Sequence, residues 1–202
     1  VINISNALLQ SSVNSFGSTA MAGYTAANNI LGFLYASVNA VTQACMSFTS
    51  QNYGVGKYKR MDRVLLDCGI LSFVIALVLG CGSYMCGGEI LKVYTEDPEV
   101  IRCGVEILSI TTVPYFLCGI MDLFPGALRG MGHSVPMILS IIGTVGTRIV
   151  WIFWIFPQHR SLYTLFISYP ASWFITIVLQ VICFVFVRRT VHGQLKGTGK
   201  AA

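Results

Sequence analysis

The sequence predicts an all-α, polytopic membrane helical bundle, and three observations carry that expectation. Residues 1–56 contain no Lys, Arg, Asp or Glu, and charge-free stretches recur at 68–88 and 161–187. The apolar content therefore comes in blocks of spanning length, since a helix needs roughly 20 mostly apolar residues to cross about 30 Å of hydrocarbon. Finally, the chain is 54% hydrophobic and 10% charged, far from the roughly 25% charge of soluble domains.

Six helical segments are expected, at about 1–15, 19–50, 64–90, 98–128, 135–157 and 162–187. The opening VINISNALLQSS has neither an initiator Met nor a basic flank. A secretory signal is not expected there, and the first segment reads as truncated at its N-terminal end. Phe16-Gly17-Ser18 breaks it from the second. The fourth starts cleanly, with Asp97 as N-cap, Pro98 at the first helical position and Glu99 in the first turn. Ser134 and Pro136 repeat the device for the fifth. Residues 1–190 read as one helical unit and 191–202 as a tail.

Lys and Arg resist translocation, so their distribution between alternate gaps sets the orientation. One set of gaps holds Lys57, Lys59, Arg60, Arg63, Arg129, Arg188, Arg189, Lys196 and Lys200; the other holds Lys92, Arg102 and Arg160. The first side is expected to be cytoplasmic, together with Tyr58 and the C-terminus of a multi-pass protein of the cell membrane. Glu96-Asp97-Pro98-Glu99 then faces outward. Membrane topology also accounts for the net charge of +5, so nucleic acid is not expected as a partner; the lipid bilayer is.

The seven cysteines show no paired metal spacing and read as small hydrophobes. Cys86 and Cys103 flank one outer loop, which leaves a disulfide open. Trp151, Trp154 and Trp173 read as interface or packing residues. His133, His159 and His192 lack partner spacing, so no metal site is expected. With no phosphate loop, nucleophile elbow or zinc helix, the chain does not read as an enzyme and no cofactor is expected.

Polar side chains are costly in hydrocarbon, and their angular placement shows where water or another helix must lie. Asn3, Asn6, Gln10 and Asn14 recur at steps of three, four and four, one face of the first helix. The second helix continues the theme with Thr25, Asn28, Asn29, Gly32, Asn39, Thr42 and Gln43, mostly on one side, while Ile30, Leu31, Phe33, Leu34 and Val38 populate the remainder. Such amides can act as glue between helices. Four on one face favour a shared aqueous cavity instead, since dry packing would have to satisfy every donor and acceptor internally.

Asp122 is the one carboxylate well inside a span, between Pro114 and Pro125 in a helix that must bend or open. It is a candidate site for a coupling sodium ion or proton. The alternative is a structural ion pair with Arg148, the one base in mid-span, although the two differ in expected depth. Gly126 with Gly130, and Gly143 with Gly146, read as small-residue pairs for close helix contact.

Four loop segments carry a resemblance. Ser50-Gln51-Asn52-Tyr53-Gly54-Val55-Gly56-Lys57 resembles the "GQN-GAGK" loop of multidrug and toxic compound extrusion (MATE) transporters. Gly17-Ser18-Thr19-Ala20-Met21-Ala22-Gly23-Tyr24 resembles that family's turn between helices seven and eight. Tyr94-Thr95-Glu96-Asp97-Pro98-Glu99-Val100 is similar to its outer loop before helix ten, and Leu128-Arg129-Gly130-Met131-Gly132-His133-Ser134-Val135-Pro136 to its "RG-G-S-P" turn. The resemblance implies that this chain is the C-terminal six-helix lobe of a twelve-helix, two-lobe transporter, with an N-terminal lobe as partner. It implies efflux of small organic cations and drugs by antiport with sodium ions or protons, the cleft between lobes opening alternately to each side. Asp122 falls on the helix-ten equivalent, where several members carry a coupling acid about one turn earlier, at the position of Cys118. The helix-seven acid of some members is replaced in the region of Ile2 and Asn3. A lipid-linked precursor flippase of the same superfamily is the alternative, for which a strongly basic cavity is expected.

Overall fold

The computed structural model describes the backbone of residues 2–133 and 135–198, and the side chains of 6–133 and 138–189. The order is α1 (Ile2–Asn14), α2 (Ser18–Gly54), α3 (Tyr58–Lys92), α4 (Pro98–Thr112), α5 (Tyr115–Gly130), α6 (Val135–Ile141), a π-helical turn (Ile142–Gly146), α7 (Thr147–Val150), a second π-helical turn (Trp151–Ile155), α8 (Leu162–Phe166) and α9 (Ser168–Thr198). No strand occurs among the described residues. Four helical stretches are long and apolar enough to cross a membrane, or five if the bent pair α4 and α5 forms one span. The chain is a multi-pass membrane protein.

Helices predominate because hydrocarbon offers backbone N–H and C=O groups no water, and a helix satisfies them within the segment. Hydroxyls follow the same rule. Buried Thr111, Thr112 and Thr176 donate to the carbonyls of Ile107, Leu108 and Ser172 at 2.7–2.8 Å.

Two helices end in the same way on the basic side. Gly56 (φ 69°) and Gly132 (φ 82°) take the left-handed conformation. The N–H of Lys57 reaches Asn52 O at 2.8 Å, and that of His133 reaches Leu128 O at 3.0 Å. These are six-to-one Schellman closures, in which a residue without Cβ turns the chain and its successor covers an orphan carbonyl. They sit inside two of the resemblance-bearing loops. At the other side Asp97 Oδ1 accepts from Glu99 N at 2.9 Å, with Pro98 in the first turn, as the sequence pattern predicts.

Several boundaries differ from expectation. α2 runs on to Gly54, and α3 begins at Tyr58 rather than 64. Lys and Arg are good helix formers, so the helix continues past the apolar run into Lys59, Arg60 and Arg63. The helix expected at 98–128 is two helices, bent by 50° at Val113–Pro114, because proline supplies no N–H and crowds the preceding turn. The single helix expected at 135–157 contains two π turns, and the last helix continues to Thr198.

α2 is the central element, packed by α3, α4 and α5, with α9 closing over α5. Its inward face carries Ala27, Ile30, Leu34, Val38 and Cys45. Glycines allow close approach: a Cβ on Gly126 would lie 3.0 Å from Thr42 Cγ2, and one on Gly130 2.7 Å from Met46 O. The expected pairing of Gly143 with Gly146 is corrected. A Cβ on Gly143 would lie 2.6 Å from Thr176 Oγ1, whereas one on Gly146 meets nothing within 4 Å. The Cys86–Cys103 disulfide does not form: all seven cysteines are free. Cys103 faces inward instead, its Cβ 2.9 Å from where a Gly23 Cβ would stand.

Gly130→Ala in the full-length protein should therefore lower stability by about 1–3 kcal/mol, the range for an overpacked contact. Gly146→Ala should stay within about 0.5 kcal/mol. Melting of the two variants in one detergent compares them; equal melting temperatures would contradict the close α2–α5 contact.

Candidate functional site

The exposed surface of the lobe is of two kinds. On α3 and α9 the exposed residues are large and apolar, among them Leu66, Ile70, Val74, Val78, Phe174, Val178 and Val185, as lipid contact requires. On α1 the exposed residues are Asn6, Ala7, Gln10, Ser11 and Asn14, while Leu9 and Val13 are fully buried. The side chain of Asn3 lies outside the described residues. On α2 the exposed face holds Thr25, Asn28, Asn29, Gly32, Gln43 and Ser47, with Asn39 partly exposed.

The α2 face has internal order. Gln43 Nε2 donates to Asn39 Oδ1 at 3.3 Å, and Asn39 Nδ2 donates to the Tyr35 hydroxyl at 3.2 Å. Two residues change sides relative to the sequence reading. Thr42 is 2% exposed and faces inward at Gly126, while Phe33 is 71% exposed beside the amides. Phe33 and Tyr35 thus add aromatic rings to the amides on one open face. That combination suits an amphiphilic cation, which takes ring faces for its charge and apolar body and amide oxygens for its donors. Reading Phe33 by residue type alone put it with the remainder of the helix; its place one turn beyond Asn29, four residues on, was the available signal.

Asp122 lies half-buried on α5, two turns past the bend at Pro114. Its charge acts on Tyr35 of α2 and on Tyr115 and Cys118 of its own helix, and the base that acts on it is Arg129. The alternative pairing with Arg148 is not made: the ion pairs among the described residues are Lys92–Glu89 and Arg188–Asp62.

Arg148 has other partners. It is 5% exposed, on the short α7 between the two π turns. Its Nη1 donates to Asn6 Oδ1 at 3.2 Å, its guanidinium lies 4.0 Å from the centre of the Tyr169 ring, and its Nε has no hydrogen-bond partner among the described residues. The contact joins the amide face of α1 to the fifth and sixth spans. Around it Tyr169 stacks on Phe166, and Trp173 meets both Tyr169 and Tyr115 edge-on, at 5.9 and 5.5 Å. Thr144 and Thr176 hydroxyls pair at 3.1 Å, and Trp151 Nε1 donates to Thr164 O at 2.8 Å. Trp151 and Trp173 are packing residues, whereas Trp154 is 75% exposed.

Comparison with known proteins gives a consistent result. The family described as MatE matches residues 1–154. The chain is similar to "Probable multidrug resistance protein YoeA" of Bacillus subtilis, 24% identical over 190 residues, covering 93% of this chain and 41% of that protein. It is also similar to "Probable multidrug resistance protein NorM" of Thermotoga maritima, 23% identical over 134 residues, 66% of this chain and 29% of the other. Among solved structures, one titled "Crystal structure of MATE in the bent conformation" superposes with a TM-score of 0.81 at 16% identity, over 92% of this chain and 42% of that one. The chain thus spans less than half the length of these relatives.

The Arg148–Asn6 contact predicts a coupling. Asn6→Ala leaves a buried guanidinium short of an acceptor and should cost about 1.5–3 kcal/mol. In an Arg148→Met background the same change should cost less than about 0.5 kcal/mol. A double-mutant cycle on unfolding of the full-length protein measures this; additive effects would contradict it.

Proposed function

The chain belongs to the MatE family, whose members are transporters and not enzymes, and we propose that it forms one lobe of an antiporter exporting amphiphilic organic cations and drugs across the cell membrane. The other lobe would be the N-terminal half of the same transporter, with the basic end of this lobe and its C-terminus on the cytoplasmic side. The observation that carries the reading is the open face of α1 and α2. Amides and aromatic rings are exposed there, on a lobe whose α3 and α9 surfaces are apolar. The names of the relatives, which speak of multidrug resistance, agree with it.

Export against a gradient needs a second cation whose downhill entry is linked to the drug's exit. Asp122 is the group proposed to carry it. No base lies within ion-pair distance of its carboxylate among the described residues, so the charge is available to a proton or a sodium ion. It also acts on Tyr35, which belongs to the amide and aromatic face. Occupation of Asp122 and of the drug path can then be mutually exclusive, because a carboxylate neutralised by one cation no longer attracts another. Alternation of the two lobes would expose the loaded site to one side at a time. The flippase alternative has less support, since Arg148 is turned into the lobe and the open face carries no base.

Asp122→Asn in the full-length transporter should lower drug export by at least about tenfold, a loss of about 1.4 kcal/mol. It should also remove dependence on the imposed sodium or proton gradient, while Asp122→Glu retains part of both. Export from loaded vesicles under each gradient measures this. Unchanged rate and unchanged ion dependence in Asp122→Asn would remove the carrier role.

A further inference from the structure

Arg148 is the one buried charged side chain among the described residues, and its donors outnumber its acceptors. A guanidinium carries five N–H groups. Among the described residues Arg148 makes one hydrogen bond, from Nη1 to Asn6 Oδ1 at 3.2 Å, and its buried Nε makes none. Tyr169 covers one face of the guanidinium, so the part in need of a partner is the N–H edge in its plane. No carboxylate of this chain balances the charge: every Asp and Glu lies within the described residues, and their ion pairs are made elsewhere. The groups that feel its charge, Tyr24 of α2 and Cys118 of α5, are a phenol and a thiol. A buried ion without a counter-ion is costly to keep, and inside a membrane such a residue marks a site by default.

The way from the open face to this charge is one side chain long. Asn6 is exposed on α1, in the row of Gln10 and Asn14, and its amide oxygen is what stands on Arg148. Turned out into water, that amide loses little. A carboxylate in its place forms charge-assisted bonds about twice as strong as neutral ones, and its two oxygens meet two donors at once.

We infer that Arg148 is a carboxylate subsite of the drug path, so that the lobe favours amphiphiles bearing a carboxylate beside their cationic group over cations alone. This rests on the transport reading, which puts substrate against α1 and α2. It also fixes a sign. Residues 1–56 hold no base, and the acid that acts on the α2 face, Asp122, repels an anion. Without Arg148 a carboxylate on the ligand should weaken binding; with Arg148 it should strengthen it.

The test uses the full-length transporter in detergent and two fluorescent ligands that differ in one group. Rhodamine 110 has a free carboxylate beside its cationic ring system, and rhodamine 123 is its methyl ester. Fluorescence polarisation gives the two Kd values. The wild type should bind rhodamine 110 at least about tenfold more tightly, the factor that one charge-assisted pair supplies. In Arg148→Gln the preference should vanish or reverse. Asn6→Asp, which presents a carboxylate of the chain's own to Nη1, should also remove it, and this variant serves if Arg148→Gln does not fold. Equal binding of the two ligands by the wild type, or tighter binding of the ester, would overturn the inference. So would a preference that survives in Arg148→Gln or in Asn6→Asp. Folded wild type that binds neither ligand would instead count against the transport reading, and the subsite would go with it.

Discussion

Hydrocarbon cannot hydrogen-bond, and the structure follows from that constraint. It makes every span a helix, sends Thr111, Thr112 and Thr176 back to their own backbones, and puts glycine where two helix axes must come close. It also decides what an exposed side chain means. An exposed Val78 or Phe174 needs no explanation in a bilayer, whereas an exposed Gln10 or Asn14 needs water or another chain. The lobe keeps these two kinds of surface on different helices.

Within the lobe, cohesion comes from fit more than from the hydrophobic effect, because lipid tails are as apolar as the helices they surround. The contacts of Gly126 and Gly130 with α2 supply fit at one end. Near the other helices, Arg148 fastens the amide-bearing α1 to the fifth and sixth spans with one amide oxygen and one ring face. A guanidinium can be held this way because it is weakly hydrated and stacks on aromatic faces, which an ammonium does less well. The π turns on either side of α7 flank the same residue; such turns often mark functional positions in membrane helices.

Much of this was legible in the residues. The steps between Asn6, Gln10 and Asn14 place them on one face, and all three are exposed while Leu9 and Val13 are buried. Pro114 announced the bend, and Asp97-Pro98 the start of α4. What escaped depended on partners distant in sequence. Arg148 was weighed against Asp122 because charge seeks charge, yet its acceptor is the uncharged Asn6, 142 residues away. Gly143 and Gly146 look alike in sequence, but only at Gly143 does a neighbour crowd the place a Cβ would take. Phe33 and Thr42 were placed by residue type, and the helix turns each to the other side. The π turns leave no residue pattern that periodicity can detect.

The central claim is that the open face of α1 and α2 borders water while the α3 and α9 faces border lipid. Its most direct measurement is thiol labelling in a cysteine-free full-length protein in membranes, with one cysteine at a time and a water-soluble maleimide. Cysteines replacing Gln10, Asn14 and Gln43 should be modified, and those replacing Val78, Phe174 and Val178 should not. Inert thiols at the first three positions, with rates no higher than at the second three, would contradict the account.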